Sequence, residues 1–201
     1  MEKRVSNFKI STEDQVSHHI APSFLAAPPS LIDSIFKNAV IAVAMHQDEG
    51  AMGFIISQQT ELSLHELLED LSIKPKVADR TVLYGGPVSK NSGFLLYEHE
   101  ANKPLTAGLV LCDTISITPS RELLDDAAAG KLPGRFELIL GYAGWGPGQL
   151  ETELCGGGWL NTPFYPEIMF DVPVSERWNH TFSQVGVSPY AFMNVPGGAQ
   201  A

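Results

Sequence analysis

The stretch Gly141–Leu160, reading G-Y-A-G-W-G-P-G-Q-L-E-T-E-L-C-G-G-G-W-L, constrains the fold of this chain more than any other, because it joins seven glycines and one proline to two tryptophans. Glycine reaches backbone conformations that a Cβ forbids, and tryptophan supplies large rigid apolar surface, so the combination specifies a shape rather than a loose linker. The apolar run Phe136–Leu140 reads as a strand and Gln149–Leu154 as a helix. Between them the glycines form a strand-to-helix turn, which puts free N–H groups and a dipole of about half a charge where an anion could sit. Neither G-x-x-x-x-G-K-[ST] nor G-x-G-x-x-G is present, however, and no lysine follows. Glu151 and Glu153 already meet the dipole. The turn therefore reads first as structural, with Gly144, Trp145, Gly146 and Glu151 as ligand-binding candidates and Trp145 and Trp159 as a surface on which a flat ligand could stack. Gly146→Val is expected to cost stability, since the glycines are expected to bend a core strand tightly into a helix.

Elsewhere the periodicity is clearer. Asn38–Met45 and Met52–Ser57 are apolar runs separated by His46-Gln47-Asp48-Glu49-Gly50-Ala51, a hairpin buried on both faces. Ser63-Leu64-His65-Glu66 is a capping box followed by Leu67, Leu68 and Leu71 at helical spacing. Thr81–Tyr84, Gly93–Tyr97, Leu109–Cys112 and Ser116–Ile117 read as short strands. A second helix opens at Thr118-Pro119-Ser120-Arg121-Glu122, with Thr118 as cap, Pro119 in the first helical position and Gly130 as its stop. A last helix starts at Ser175, carries Trp178, Phe182 and Val185 on one stripe and ends at Gly186; ordered coil and a short tail are expected after it. Strands and helices neither alternate strictly nor segregate, which indicates an α+β fold: a mixed sheet with flanking helices.

At 201 residues and 44% hydrophobic content, the chain suits one domain over residues 20–201, after a polar lead, residues 1–19, expected to be mobile. A net charge of −10 argues against a grip on phosphate backbones, and no helix-turn-helix spacing is present, so direct nucleic-acid binding is not expected. Cys112 and Cys155 fit no disulfide scaffold, zinc motif or C-x-x-C pair. No apolar run reaches the roughly 18 residues of a membrane span, and the N-terminus lacks the apolar core of a signal peptide. The expectation is a soluble cytoplasmic protein without metal or cofactor.

Several separated motifs closely resemble the AlgH/YqgE family of bacteria. They are Phe24-Leu25-Ala26-Ala27-Pro28 with Asp33 and Phe36, His46, Gly50-Ala51-Met52-Gly53, Gly85-Gly86-Pro87-Val88, Gly93-Phe94, Gly141-Tyr142-Ala143-Gly144-Trp145, Gly148-Gln149-Leu150-Glu151 and Trp159-Leu160. The resemblance implies a compact α+β fold with a bifurcated sheet partly rolled into a small barrel, in a cytoplasmic protein of no established activity. It also brings the family's label as a transcriptional regulator of alginate synthesis. The chain departs from the pattern at Asn38-Ala39, where Arg-Ser is usual, at Ser57, where Asn is usual, and at Tyr97, where His is usual.

Two further groups could carry chemistry. Thr118, Ser120 and Arg121 bring hydroxyls, a helix start and a fork-shaped guanidinium together as an anion site, although capping alone accounts for both hydroxyls. His46, beside Asp48 and Glu49, could form an acid/base pair, although a turn histidine explains it equally. There is no G-x-S-x-G elbow, and neither cysteine has a basic neighbour to activate it. The chain thus reads as a non-enzymatic binding or regulatory module for a protein or small-molecule partner. The alternative is an enzyme acting on a small anionic metabolite beside Gly144–Glu151, with Arg121 as clamp and Glu151 or His46 as base.

Overall fold

The computed structural model describes residues 19–32 and 34–189; the polar lead before His19, Asp33 and the segment after residue 189 lie outside the described residues. Among the described residues, ten strands and five α-helices follow in the order β1 (Ser23–Ala26), β2 (Val40–Gln47), β3 (Gly50–Ile55), β4 (Gln59–Ser63), α1 (Leu64–Asp70), β5 (Thr81–Tyr84), β6 (Val88–Glu98), β7 (Leu109–Cys112), β8 (Ile115–Thr118), α2 (Arg121–Ala128), β9 (Phe136–Trp145), α3 (Gln149–Cys155), β10 (Leu160–Pro163), α4 (Glu167–Phe170) and α5 (Arg177–Gln184). The main path of the sheet runs β10-β1-β2-β3-β9-β6-β8-β7.

The sheet forks at β9. One of its edges runs antiparallel along β6. The other is divided between β5, which pairs parallel through Leu83 and Tyr84 with Ile139 and Leu140, and β3, which pairs antiparallel through Ala51–Gly53 with Trp145–Ala143. Gly141 sits at the fork with φ +73°, and a Cβ there would lie 2.5 Å from the carbonyl oxygen of Gly86. Only glycine fits both the backbone angle and the approach. Phe136–Trp145 is thus one continuous strand, which corrects the expectation that the glycine-rich turn begins after Leu140.

Both faces of the inner strands are covered. Along β2, Val40 and Ala42 face one hydrophobic cluster while Ile41 and Val43 face another, which is why this run is apolar without alternation. The first cluster fills a half-barrel, because the sheet curls until β7 approaches β2. Phe24, Phe54, Ile139, Leu111 and Ile117 line its interior, and Ile168, Met169, Trp178 and Phe182 of α4 and α5 close one end. Outside the curl, α3 with Leu31 and Phe36 covers the second cluster, and α1 and α2 cover a third around Leu95, Tyr97 and Leu138. Full burial of side chains such as Phe24 and Phe54 contributes about 1.5–3 kcal/mol each.

The helix starts refine the sequence reading. Ser63 and Glu66 form the expected reciprocal capping box. For α2 the cap is Ser120, which accepts from Leu123 N, whereas Thr118 ends β8 and Pro119 lies before the cap rather than inside the helix. Thr118 Oγ1 instead donates to Ala107 O and accepts from Ser120 N. A 3₁₀ turn at Val174–Glu176 takes up the expected start of the last helix, which begins at Arg177. The four-residue elements β1, β10 and α4 gave no periodic signal of their own and are held by their neighbours.

Candidate functional site

The glycine-rich stretch is closed on itself. Gly148, at φ +70°, caps α3, and Gly146 N donates to Gln149 Oε1 at 3.1 Å. Glu153 then gathers the surrounding donors: Oε2 accepts from Trp145 Nε1 at 2.9 Å and Trp159 Nε1 at 2.8 Å, and Oε1 accepts from Gln149 Nε2 at 2.9 Å. Burial pushes the Glu153 carboxyl up, but the hydrogen bonds from Trp159, Trp145 and Gln149 outweigh it and hold the group below the usual range. The indoles meet edge to face at 6.4 Å, both almost fully buried, and Phe36 packs on Trp159 at 5.5 Å. Gly146 has neither a positive φ nor a close neighbour. An added Cβ would meet only Gln149 Oε1, at 4.0 Å, so the expected penalty at Gly146 moves to Gly141 and Gly148, whose φ values are positive.

His46 lies at the tip of the β2–β3 hairpin with 1% of its side chain exposed. Its Nδ1 accepts from Ile20 N at 3.1 Å, and its Nε2 lies 3.0 Å from Glu151 Oε1. A backbone N–H can only donate, so Nδ1 offers its lone pair and the ring proton resides on Nε2, donated to Glu151. Neither nitrogen then has a free lone pair for a substrate proton or a metal. The Glu151 carboxyl is held below its usual range, first by its own backbone N–H and then by His46.

Thr118, Ser120 and Arg121 do converge, on a cavity of about 200 Å³ between α1 and α2. Their polar groups point elsewhere. Arg121 Nη2 donates to Leu71 O at 2.9 Å, tying α2 to the end of α1, and Nε pairs with Asp125 at 3.2 Å. Most of the remaining lining is leucine, Leu67, Leu71, Leu95, Leu124, Leu138 and Leu140, with Asn91, Gly93 and Pro119 beside them. Gly144 and Trp145 border a separate open depression with Met45, Met52, Val88 and Tyr142, and the two share no lining residue.

Other polar groups escaped the sequence reading because their partners are remote. Arg177, 2% exposed, donates to the carbonyls of Ile56, Val172 and Met169 and so locks α5 across the half-barrel. Burial lowers its proton affinity and raises the Glu137 carboxyl, each opposing charge acting as a counterweight. Arg135 grips Glu98 with Nε and Nη2 and reaches Asp171 with Nη1. Ser116 Oγ lies 2.9 Å from His99 Nε2, but both residues are buried, which leaves the hydroxyl out of a substrate's reach. No helix among the described residues is long and apolar enough to cross a membrane.

The AlgH-like family profile matches residues 24–190. A UPF0301 protein of Coxiella burnetii is 41% identical over 167 residues, covering 82% of this chain and 88% of that one. Another, from Photobacterium profundum, is 36% identical over 173 residues, covering 83% and 91%. The solution structure of the AlgH protein from Pseudomonas aeruginosa superimposes with a TM-score of 0.70 at 32% identity, covering 98% of this chain and 100% of that chain. A Corynebacterium diphtheriae protein shares the fold at 20% identity, with a TM-score of 0.65 over 82% and 86% of the two chains. By its motifs, its forked and curled sheet and these relatives, the chain belongs to the AlgH-like family.

Proposed function

We propose that this chain is a non-enzymatic binding module that recognises a protein partner through the leucine-lined cavity between α1 and α2. The observation that carries the proposal is the contrast between that cavity and the polar candidates. His46, Glu153, Ser120 and Arg121 are each committed to bonds within the chain, whereas Leu71 at the cavity rim remains 40% exposed. A volume of about 200 Å³ lies below the roughly 300–1,000 Å³ of small-molecule sites and suits one or two apolar side chains of a partner. A cytoplasmic regulatory role fits such a module, and the net charge of −10 favours a protein partner over a nucleic acid.

The enzyme reading rests on the 3.0 Å contact of His46 with Glu151 and makes the opposite forecast. A quantitative pull-down with wild type and Leu71→Gln, run beside a metabolite turnover screen, separates them. Saturable capture that weakens at least about tenfold in Leu71→Gln supports recognition through the cavity, a loss of the size expected for one interface anchor. Turnover by wild type that disappears in Glu151→Gln would overturn it.

A further inference from the structure

We infer that the open edge of β6 at Gly93 receives an extended segment of the partner protein, which adds a short strand there and seats one apolar side chain in the leucine-lined cavity. The inference rests on the proposed recognition at that cavity and names its mode. Strand β8 covers this edge of β6 only from Glu98 to Leu95, where Leu95 faces Thr118, and the chain then turns away through Pro119 into α2. Gly93 lies two residues further along the same edge. On its other side it faces Leu140 of β9, whose carbonyl accepts from Gly85 N, just after β5, at 2.8 Å. The N–H and C=O of a strand residue point to one edge, so Leu140 faces β5 and the Gly93–Leu140 pair exchanges no hydrogen bond. The Gly93 N–H and C=O therefore point to the open edge, where among the described residues no hydrogen bond takes them up. A partner segment continuing the antiparallel ladder that β8 leaves at Thr118 would meet both.

Gly93 is also a glycine that the fold itself does not require. Its φ lies outside the left-handed region, and an added Cβ would make ordinary contacts, at 3.8 Å with Leu138 and 3.9 Å with Leu140. Its bareness instead keeps the cavity open, because Gly93, Leu138 and Leu140 all line it. Glycine inside a strand often marks the close approach of another backbone. Side chains alternate along a strand, so a partner residue opposite Gly93 projects on the same face as Leu95, toward the cluster that α1 and α2 cover. A space of about 200 Å³ takes one leucine- or phenylalanine-sized side chain there. The local charge is positive on an acidic chain. No acid lines the cavity, whose charged member is Arg121. Lys90, three positions before Gly93, is exposed and forms no ion pair among the described residues. The segment that fits is extended, with an acid close to its apolar anchor.

A displayed library of random ten-residue peptides, selected on the full chain, tests this. Enriched peptides are expected to carry one large apolar residue with an acid within three positions, and no apolar residues at helical spacing. The tightest of them, synthesised, should slow hydrogen exchange of the Gly93 amide when bound. N-methylation of the anchor residue removes the donor that meets the Gly93 carbonyl and should weaken binding about tenfold, the size of one main-chain bond. Gly93→Val should weaken it at least as much without lowering the melting temperature, since valine suits a strand. Lys90→Glu should shift the selection from acidic to basic peptides. Peptides with apolar residues three and four apart, lost in Leu71→Gln but kept in Gly93→Val, would overturn strand addition and leave recognition at the cavity standing. Binding that survives Leu71→Gln, or no enrichment at all, would overturn that recognition as well. Equal affinity of the N-methylated peptide, unchanged exchange at Gly93 or an unshifted selection in Lys90→Glu overturns the inference, whether or not Gly93→Val folds.

Discussion

Removing the Glu153 carboxylate tests whether the glycine-rich stretch is a structural unit. In Glu153→Ala two nearly buried indole N–H groups, on Trp145 and Trp159, lose an ionised acceptor at 2.9 and 2.8 Å. Hydrogen bonds to charged groups contribute about 1.5–3 kcal/mol each. Glu153 is only partly buried, so water can replace some of what is lost, and the lower bound applies: about 3 kcal/mol for the pair. The bond from Gln149 is exposed and adds little. For a chain of this size about 1 kcal/mol corresponds to roughly 2–4 °C, so Tm should fall by about 6–12 °C. Glu153→Gln retains one acceptor oxygen and should lose about half as much. The pH dependence has a definite sign. The folded carboxyl lies below its unfolded value, so its contribution is complete above the unfolded value near pH 4.5 and drains away as the pH falls through the folded one. Calorimetry at pH 7 and pH 3 measures both effects, and the gap between wild type and Glu153→Gln should narrow at the lower pH. A Glu153→Ala protein that melts within about 1 °C of wild type at pH 7 refutes the reasoning, because a 3 kcal/mol loss cannot hide there.

The same reasoning extends to other positions. Gly146→Ala should leave thermal stability within about 0.5 kcal/mol of wild type, as at an unconstrained surface site, whereas Gly141→Ala should lose at least about 2 kcal/mol through its positive φ and the contact with Gly86; equal melting of the two would mean that the fork does not require glycine. The Tyr97 hydroxyl is buried without a hydrogen-bond partner, so Tyr97→Phe should be neutral or stabilising by up to about 1 kcal/mol in urea titration, and a clear loss would reveal a bond to that oxygen. Arg121→Ala should cost about 1 kcal/mol through the lost bond to Leu71 O, yet sulfate should stabilise it and wild type equally, since the guanidinium is already engaged; sulfate stabilisation confined to wild type would restore the anion clamp.

Local signals carried much of the fold. The capping box at Ser63 and Glu66 and the continuous apolar run Val40–Val43 are contained within a few residues, and both appear as read. Even the fork's glycines, Gly85, Gly86 and Gly141, stood out, although their role did not: a strand that passes through a positive φ is decided by the Gly86 carbonyl facing it, which lies far away in sequence. The same distance hides the site chemistry. His46 and Glu151 are 105 residues apart, and nothing near His46 announces that Ile20 N will occupy its other nitrogen. Arg121 was legible as a cation at a helix start, but the Leu71 carbonyl that engages it comes from another helix. Glu153 was the nearest miss. It lies eight residues after Trp145 and six before Trp159, and an acid flanked by tryptophans is a signal that dipole arguments alone pass over.

Photo-crosslinking tests recognition at the α1–α2 cavity most directly. A photoreactive phenylalanine analogue is introduced either at Leu71, on the cavity rim, or at Gln47, beside the separate depression at Gly144, and adducts are compared in cells that express the chain natively. The account predicts one discrete protein adduct from position 71, competed away by excess wild-type chain, and none from position 47. A competed adduct from position 47 with none from position 71 would contradict it.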